Sequence, residues 1–248
     1  MTDTIVRNTS AALVAEGEAL FVSGNMSAAF ACFKAASGSD DATAWMWLST
    51  CHAEGAGTTV STELALSCLR HAAELGQPQA QSNLGVKLIK QGPLDAECDV
   101  QIAAGDGYTP SADVLEGLDW LRKAAAQQDV GACFNLATIL SRDKEIAPLW
   151  SEAAGAYRIA AETGHYPSQI RLGFCYRNGF GVPKDRVQAF MWTALAARHG
   201  VGTALEQLEK IVFEMSARER ADGEDLLRAR ADPNAQTRGA VPFLVVTS

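Results

Sequence analysis

Between residues 165 and 200 the apolar positions form two helical stripes divided by a glycine-rich break. From Pro167 to Asn178, Ile170, Phe174 and either Leu172 or Cys175 share one face at helical spacing. Gly179-Phe180-Gly181-Val182-Pro183-Lys184-Asp185 ends that helix, since glycine permits positive φ and proline bars continuation. Val187, Phe190, Met191, Ala194 and Leu195 then make a second stripe, which closes on Ala196-Ala197-Arg198-His199-Gly200. The glycine after Ala-Ala reads as a helix C-cap. Small residues at Gly173, Ala189 and Ala197 predict that the two helices approach closely, because a branched side chain there would hold them apart.

This unit recurs. Ala-Ala pairs end at Ala36, Ala73, Ala125, Ala161 and Ala197, giving steps of 37, 52, 36 and 36 residues. Leu84-Gly85 follows Gly76 at the interval that separates Leu172-Gly173 from Gly164. Leu136-Ala137 holds the same place where Gln128 stands for the glycine, and Leu48-Ser49 fits with one inserted residue near Ser39. A fixed period in the thirties is the mark of a stacked helical array. The pattern predicts an all-α fold of about six antiparallel helix pairs, near 10–38, 41–75, 77–127, 129–163, 165–199 and 201–230. Residues 1–9 read as a frayed, flexible N-terminus, 10–230 as one repeat domain, and 231–248 as a tail.

The long step places an insertion at about 92–107, carrying Asp95, Glu97, Asp99 and Asp106. Such a loop is either a tolerated excursion or a binding element. In the last pair, Ser216-Ala217-Arg218-Glu219 spells a capping box, and the second helix is polar enough to close the end of a stack. The tail loses helical pattern at Asp232-Pro233-Asn234 and ends in an apolar run beginning at Val241. That run is either disordered or tucked against its own chain, or a strand or peptide offered to a partner.

At these marks the chain resembles the Sel-one-like repeat family, relatives of the tetratricopeptide repeats. The shared pattern is Ala-x-x-x-Leu-Gly-x-x-Tyr-x-x-Gly-x-Gly-Val-x-x-Asp, then Ala-x-x-Trp-x-x-x-Ala-Ala-x-x-Gly. Residues 168–200 fit it closely, with Ser168 where alanine is usual; 41–76, 77–128 and 129–164 fit progressively less well. Gly17, Leu20, Phe21, Gly24, Ala29 and Phe33 fall at tetratricopeptide packing positions. The resemblance implies a right-handed α-solenoid that binds proteins or peptides in a concave groove lined by the first helix of each pair, with no catalysis by default.

Composition narrows the function. Hydrophobic content is 48%, ample for a continuous core. A formal charge of −8 and a pI near 5.0 argue against a nucleic-acid footprint. The sequence shows no signal-peptide pattern and no run of about 18 apolar residues that would span a membrane. Six cysteines read as free, buried thiols, which suits a reducing compartment and a cytoplasmic location.

Candidate chemistry is sparse. Cys51, His52, Cys68 and His71 are the nearest approach to a metal set, but adjacent Cys51 and His52 diverge by about 100° on a helix. Cys51 aligns with Cys175 and Cys68 with Trp192, which makes both core positions. A Cys51–Cys68 disulfide is conceivable across the helix pair. Gly179-Phe180-Gly181 lacks the Gly-Lys-Ser/Thr ending and the preceding strand of a phosphate loop. Neither a catalytic constellation nor a cofactor motif is present, and no metal is expected.

The binding expectation rests on the residue before each phase-marking leucine: Trp47, Asn83, Asn135 and Arg171. Asparagine can grip a peptide backbone, arginine offers a carboxylate fork and tryptophan an anchor. The other reading of these four is tolerated polarity or bracing of neighbouring helices. The expected function is therefore an adaptor or chaperone-like scaffold for another protein or peptide, working through these residues or through the acidic loop. Two alternatives stand beside it. One is a sequestering protein of the immunity type, for a secreted toxin. The other is a β-lactamase-like hydrolase of the family's cysteine-rich branch, whose regularly paired cysteines are missing here. Self-association through exposed apolar residues stays open.

Overall fold

Twelve α-helices and no strands make up the described residues of the computed structural model, which are 2–91, 112–142 and 147–231. Of residues 2–8, 91, 147, 148 and 231 it describes the backbone alone. The inserted segment and the tail lie outside these limits. The chain divides into two compact units, Met1–Asp143 and Lys144–Ser248, where the sequence pattern read as one repeat domain.

The first unit stacks helix hairpins. α1 (Thr2–Val22) pairs with α2 (Met26–Ser37), α3 (Ala42–Glu54) with α4 (Thr62–Glu74), and α5 (Pro78–Gln91) with α6 (Ala112–Ala126). α7 (Val130–Leu140) closes the unit against α6 and α5. α1 begins at Thr2. No glycine or proline precedes Gly17 in that stretch, so nothing interrupts the helix on its N-terminal side. In the second unit α8 (Ala147–Glu162) packs on α9 (Tyr166–Asn178), which pairs with α10 (Arg186–Ala197). α11 (Gly202–Glu214) and α12 (Ala217–Ala231) both lie against α10.

Capping sets the helix starts. Asp41, Ser61, Asp129 and Asp185 each accept from a backbone N–H in the first turn of the helix that follows, as N-cap side chains do. Ser216 and Glu219 form the reciprocal box: Glu219 N–H donates to Ser216 Oγ at 3.2 Å, and Ser216 N–H to Glu219 Oε2 at 2.7 Å. Where Gln128 replaces the repeat-closing glycine it keeps the left-handed backbone, φ 62° against 92° at Gly76 and 93° at Gly164. That conformation costs a residue with a Cβ about 1–2 kcal/mol.

The stripes of the template unit are buried more broadly than one helical face predicts. Leu172 and Cys175 are both fully buried, while Ile170 and Phe174 are half-buried. On α10 the run from Ala189 to Ala194 is buried without a gap, because α9, α11 and α12 surround it. Gly173 sits where the pair touches: a Cβ there would stand 2.3 Å from Thr193 Oγ1 and 3.2 Å from the Ala189 carbonyl. Gly85 and Gly117 face each other in the same way across α5 and α6, each hypothetical Cβ within 2.7 Å of the other's carbonyl oxygen. At the matching position of α3, Ser49 instead donates its hydroxyl to the Ala65 carbonyl at 2.8 Å.

The glycine-x-glycine loops do two jobs. Gly55 and Gly179 end α3 and α9 in left-handed backbone, their N–H groups on the carbonyls of Cys51 and Cys175 at 2.9 and 2.8 Å. The second glycine touches an earlier helix of the same unit, α2 or α8. A Cβ on Gly57 would lie 2.2 Å from the Met26 carbonyl oxygen, and one on Gly181 1.9 Å from that of Trp150. Phe180, between the two glycines, stacks on Trp150 at 4.8 Å and leans on Phe174 at 5.7 Å. Gly164 has comparable positive φ but open space around it. Gly181→Ala should therefore destabilise the second unit by about 1–3 kcal/mol more than Gly164→Ala, the range for overpacking against an unyielding neighbour. Urea denaturation of the two variants measures the difference; equal losses would show that only the backbone angle matters.

Along the outer helices of the first unit, Arg70 on α4 forms an ion pair with Glu116 on α6. Trp120 Nε1 donates to the same carboxylate at 3.1 Å, and Lys123 lies 3.9 Å over the Trp120 ring. The hydrogen bond from Arg70, then that from Trp120, hold the Glu116 carboxyl below its ordinary value. A carboxyl lowered in the folded state contributes stability that is complete above the ordinary carboxylate range and is lost as pH falls through it. Glu116→Gln should thus flatten the acid side of the stability profile, measured by thermal melts between about pH 3 and 7; an unchanged slope would show that this cluster does not set it.

Candidate functional site

The four phase-matched residues do stand one position before buried leucines: Leu48, Leu84, Leu136 and Leu172 are all 5% exposed or less. Their surroundings differ. Trp47 on α3 stacks on Phe33 of α2, ring centroids 5.2 Å apart and planes 3° from parallel. Phe21 of α1 meets its ring at 5.2 Å, and its Nε1 donates to Glu18 at 2.9 Å. The indole thus ties three helices together. It is engaged within the first unit and is not a free anchor for a partner.

Asn83 on α5 is exposed, and Asn135 on α7 is half-buried, its Nδ2 donating to Ser82 Oγ at 3.5 Å. Ser82 itself is buried. These two asparagines thus stand on helices of the first unit that pack on each other. Arg171 belongs to the second unit, exposed on α9. The loop residues Asp95, Glu97, Asp99 and Asp106 fall outside the described residues.

The cysteine and histidine set disperses. Burial, and after it the charge of Glu54, pushes the Cys51 thiol up to about 11; burial also raises Cys68. His52 meets Phe30 edge-on at 5.5 Å, whereas His71 places Nε2 3.4 Å from Asp40 Oδ1 and its ring edge-on to Trp45 at 4.6 Å. Among the described residues no three histidine, cysteine or acidic side chains are grouped to hold an ion. The five described cysteines are free. Cys175, at the position matching Cys51, is pushed up to about 12 by burial, with the nearby Arg171 charge acting the other way. Such thiols are protonated near neutral pH and are weak nucleophiles.

Two features escaped the sequence pattern. At the joints between hairpins, a side chain eight residues past the second alanine adds a second donor to that alanine's carbonyl, which already accepts a backbone N–H from three residues on. Gln81 Nε2 donates to Ala73 at 3.0 Å, Gln169 Nε2 to Ala161 at 3.2 Å, and the Cys133 thiol reaches Ala125 at 3.8 Å. Gln81 and Gln169 are each 5% exposed. The available signal was glutamine recurring at one phase inside otherwise apolar turns. The second feature is on α11, where Phe213 is 91% exposed beside Glu209, Lys210, Glu214 and Arg177 of α9, around an open depression of about 390 Å³. Arg177 and Glu214 form an ion pair on its wall, and the hydrogen bond from Arg177 holds the Glu214 carboxyl below its ordinary value.

No described helix is long and apolar enough to cross a membrane. Comparison with protein families matches the Sel1 repeat over residues 44–77, 103–129 and 167–201. Comparison with curated proteins finds no match. Among solved structures, a protective antigen present in uropathogenic Escherichia coli strains, displaying an SLR fold, superposes with a TM-score of 0.70 at 23% identity over 96% of this chain. The chain spans 50% of that protein's length. A Sel1 repeat protein from Oxalobacter formigenes gives a TM-score of 0.63 at 21% identity, covering 86% of this chain and 84% of that one. The matched segments coincide with the copies carrying the Gly57 loop and the Gly181 loop, together with the α6 half of the copy between them. Three segments of the chain thus match the Sel1 repeat model, and its described residues take an all-α fold of the SLR kind.

Proposed function

We propose that the chain is a protein-binding scaffold, which holds a partner protein or peptide on the outward faces of the first helices of its repeats and does no chemistry of its own. The observation that carries this reading is the pair Asn83 and Asn135. They stand on two helices packed against each other, each beside a buried leucine that fixes its helix in place. A primary amide both donates and accepts, so two of them on neighbouring helices suit the alternating N–H and C=O groups of an extended peptide. Arg171 supplies a carboxylate-binding fork on the second unit. The Sel1 repeats and the SLR fold favour the same general role. The non-catalytic part of the reading is supported by the thiols of Cys51 and Cys175, which burial keeps protonated, and by histidines engaged with Phe30, Trp45 and Asp40. Free, protonated thiols also suit a reducing cytoplasm.

The test uses affinity capture with the wild-type chain and with Asn83→Ala, Asn135→Ala, Arg171→Ala combined. The three side chains are exposed or half-exposed, so the variant should keep its stability within about 0.5 kcal/mol per site. A partner captured by the wild type should bind the variant at least tenfold more weakly, about 1.4 kcal/mol. Equal binding to both would remove the site from these faces.

A further inference from the structure

The depression on α11 presents an uncovered apolar side chain. Phe213 is the most exposed large apolar side chain described, at 91%, with Val22 next at 88%. Phe213 lies in a depression, where Lys210 and Arg177 offer aliphatic stems beside it and ionic groups at the rim. Helix α12 starts three residues past Glu214 and ends at Ala231, where the described chain stops. Beyond it, residues 232–240 contain proline, glycine and polar residues, and Val241-Pro242-Phe243-Leu244-Val245-Val246 then follow as an apolar run.

From these observations we infer that residues 241–246 dock in cis on the Phe213 depression of α11. The lengths fit. α12 has 15 residues and spans about 22 Å at 1.5 Å per residue. Residues 232–240 can extend about 30 Å, enough to run back along α12 and bring the apolar run to its start, next to Phe213. A connection of about nine residues gives the tethered run an effective concentration on the order of millimolar, so even a weak intrinsic affinity keeps the depression filled. Phe243 and Leu244 supply the apolar surface against Phe213. The depression already has its own ion pair in Arg177 and Glu214, and an uncharged segment leaves that pair intact. This docking is independent of the asparagines on α5 and α7, so either proposal can fail without the other.

The test compares the full chain with one ending at Gly239, and uses a fluorescent peptide of residues 240–248 as the probe, read by anisotropy. The peptide should bind the shortened chain, and should bind the full chain at least tenfold more weakly because the tethered run already occupies the site. Phe213→Asp in the shortened chain should weaken binding at least tenfold. With the side chain 91% exposed, that variant should keep the helical spectrum and melting midpoint of its parent. Phe243→Asp in the peptide gives a second measure with no change to the folded chain, and should weaken binding to the same degree. Absence of binding to the shortened chain, or equal binding with and without Phe213, would overturn the inference. A full chain that sediments as a dimer while the shortened chain stays monomeric would overturn the cis arrangement and give the depression to the tail of a second copy.

Discussion

Backbone touching backbone is the constraint on which both units depend. At Gly57 and at Gly181 the loop between the two helices of a hairpin lies on the first turn of an earlier helix, α2 or α8, with no room for a Cβ. The contact does two things at once. It fixes the distance between successive hairpins, and it sets the angle at which the next helix starts, since Ser61 and Asp185 cap α4 and α10 four residues further on. The buried small residues at Gly85, Gly117 and Gly173 then let each hairpin close on itself. Apolar burial supplies the driving force, but the close approaches decide which stacking is available to it.

This explains what could be read from the chain and what could not. A steric limit leaves little choice of residue, so Gly-x-Gly and Ala-Ala-x-x-Gly survive as visible marks, and helix bounds such as those of α3 and α9 follow from them. The same marks located Leu48, Leu84, Leu136 and Leu172 in the core. Trp47 shows the limit of that reading. Its phase was legible; its neighbours were not, because Phe21 and Phe33 come from a hairpin whose tilt no local pattern encodes. The start of α1 carries no mark of this kind, because ordinary helix-compatible residues give no signal unless a breaker or a cap marks the end. Cys51 and Cys175 could be placed in the core because each aligns with the other, whereas Gln81 and Gln169 looked like surface residues until their carbonyl partners were seen.

The polar residues of α5 divide the work among neighbours. Gln81 turns inward and closes the joint with Ala73, Ser82 is buried and receives Asn135 from α7, and Asn83 faces outward. Three consecutive positions thus serve the joint within a repeat array, the contact between adjacent first helices, and the exterior. A side chain at the third position is held by two layers of structure it does not itself support. It can vary without loss of fold, which is the condition a recognition surface needs.

The matched thiols carry a consequence for how the chain can be observed. Cys51 and Cys175 are wholly buried at the same phase of their repeats, one in each compact unit, and both resist ionisation. An alkylating reagent can reach either sulfur only when the surrounding hairpin opens, and the exposed thiol then reverts toward ordinary acidity and reacts. The two cysteines are therefore internal clocks. Peptide mapping of the modified sites during slow labelling would time the opening of each unit separately, in the unaltered chain.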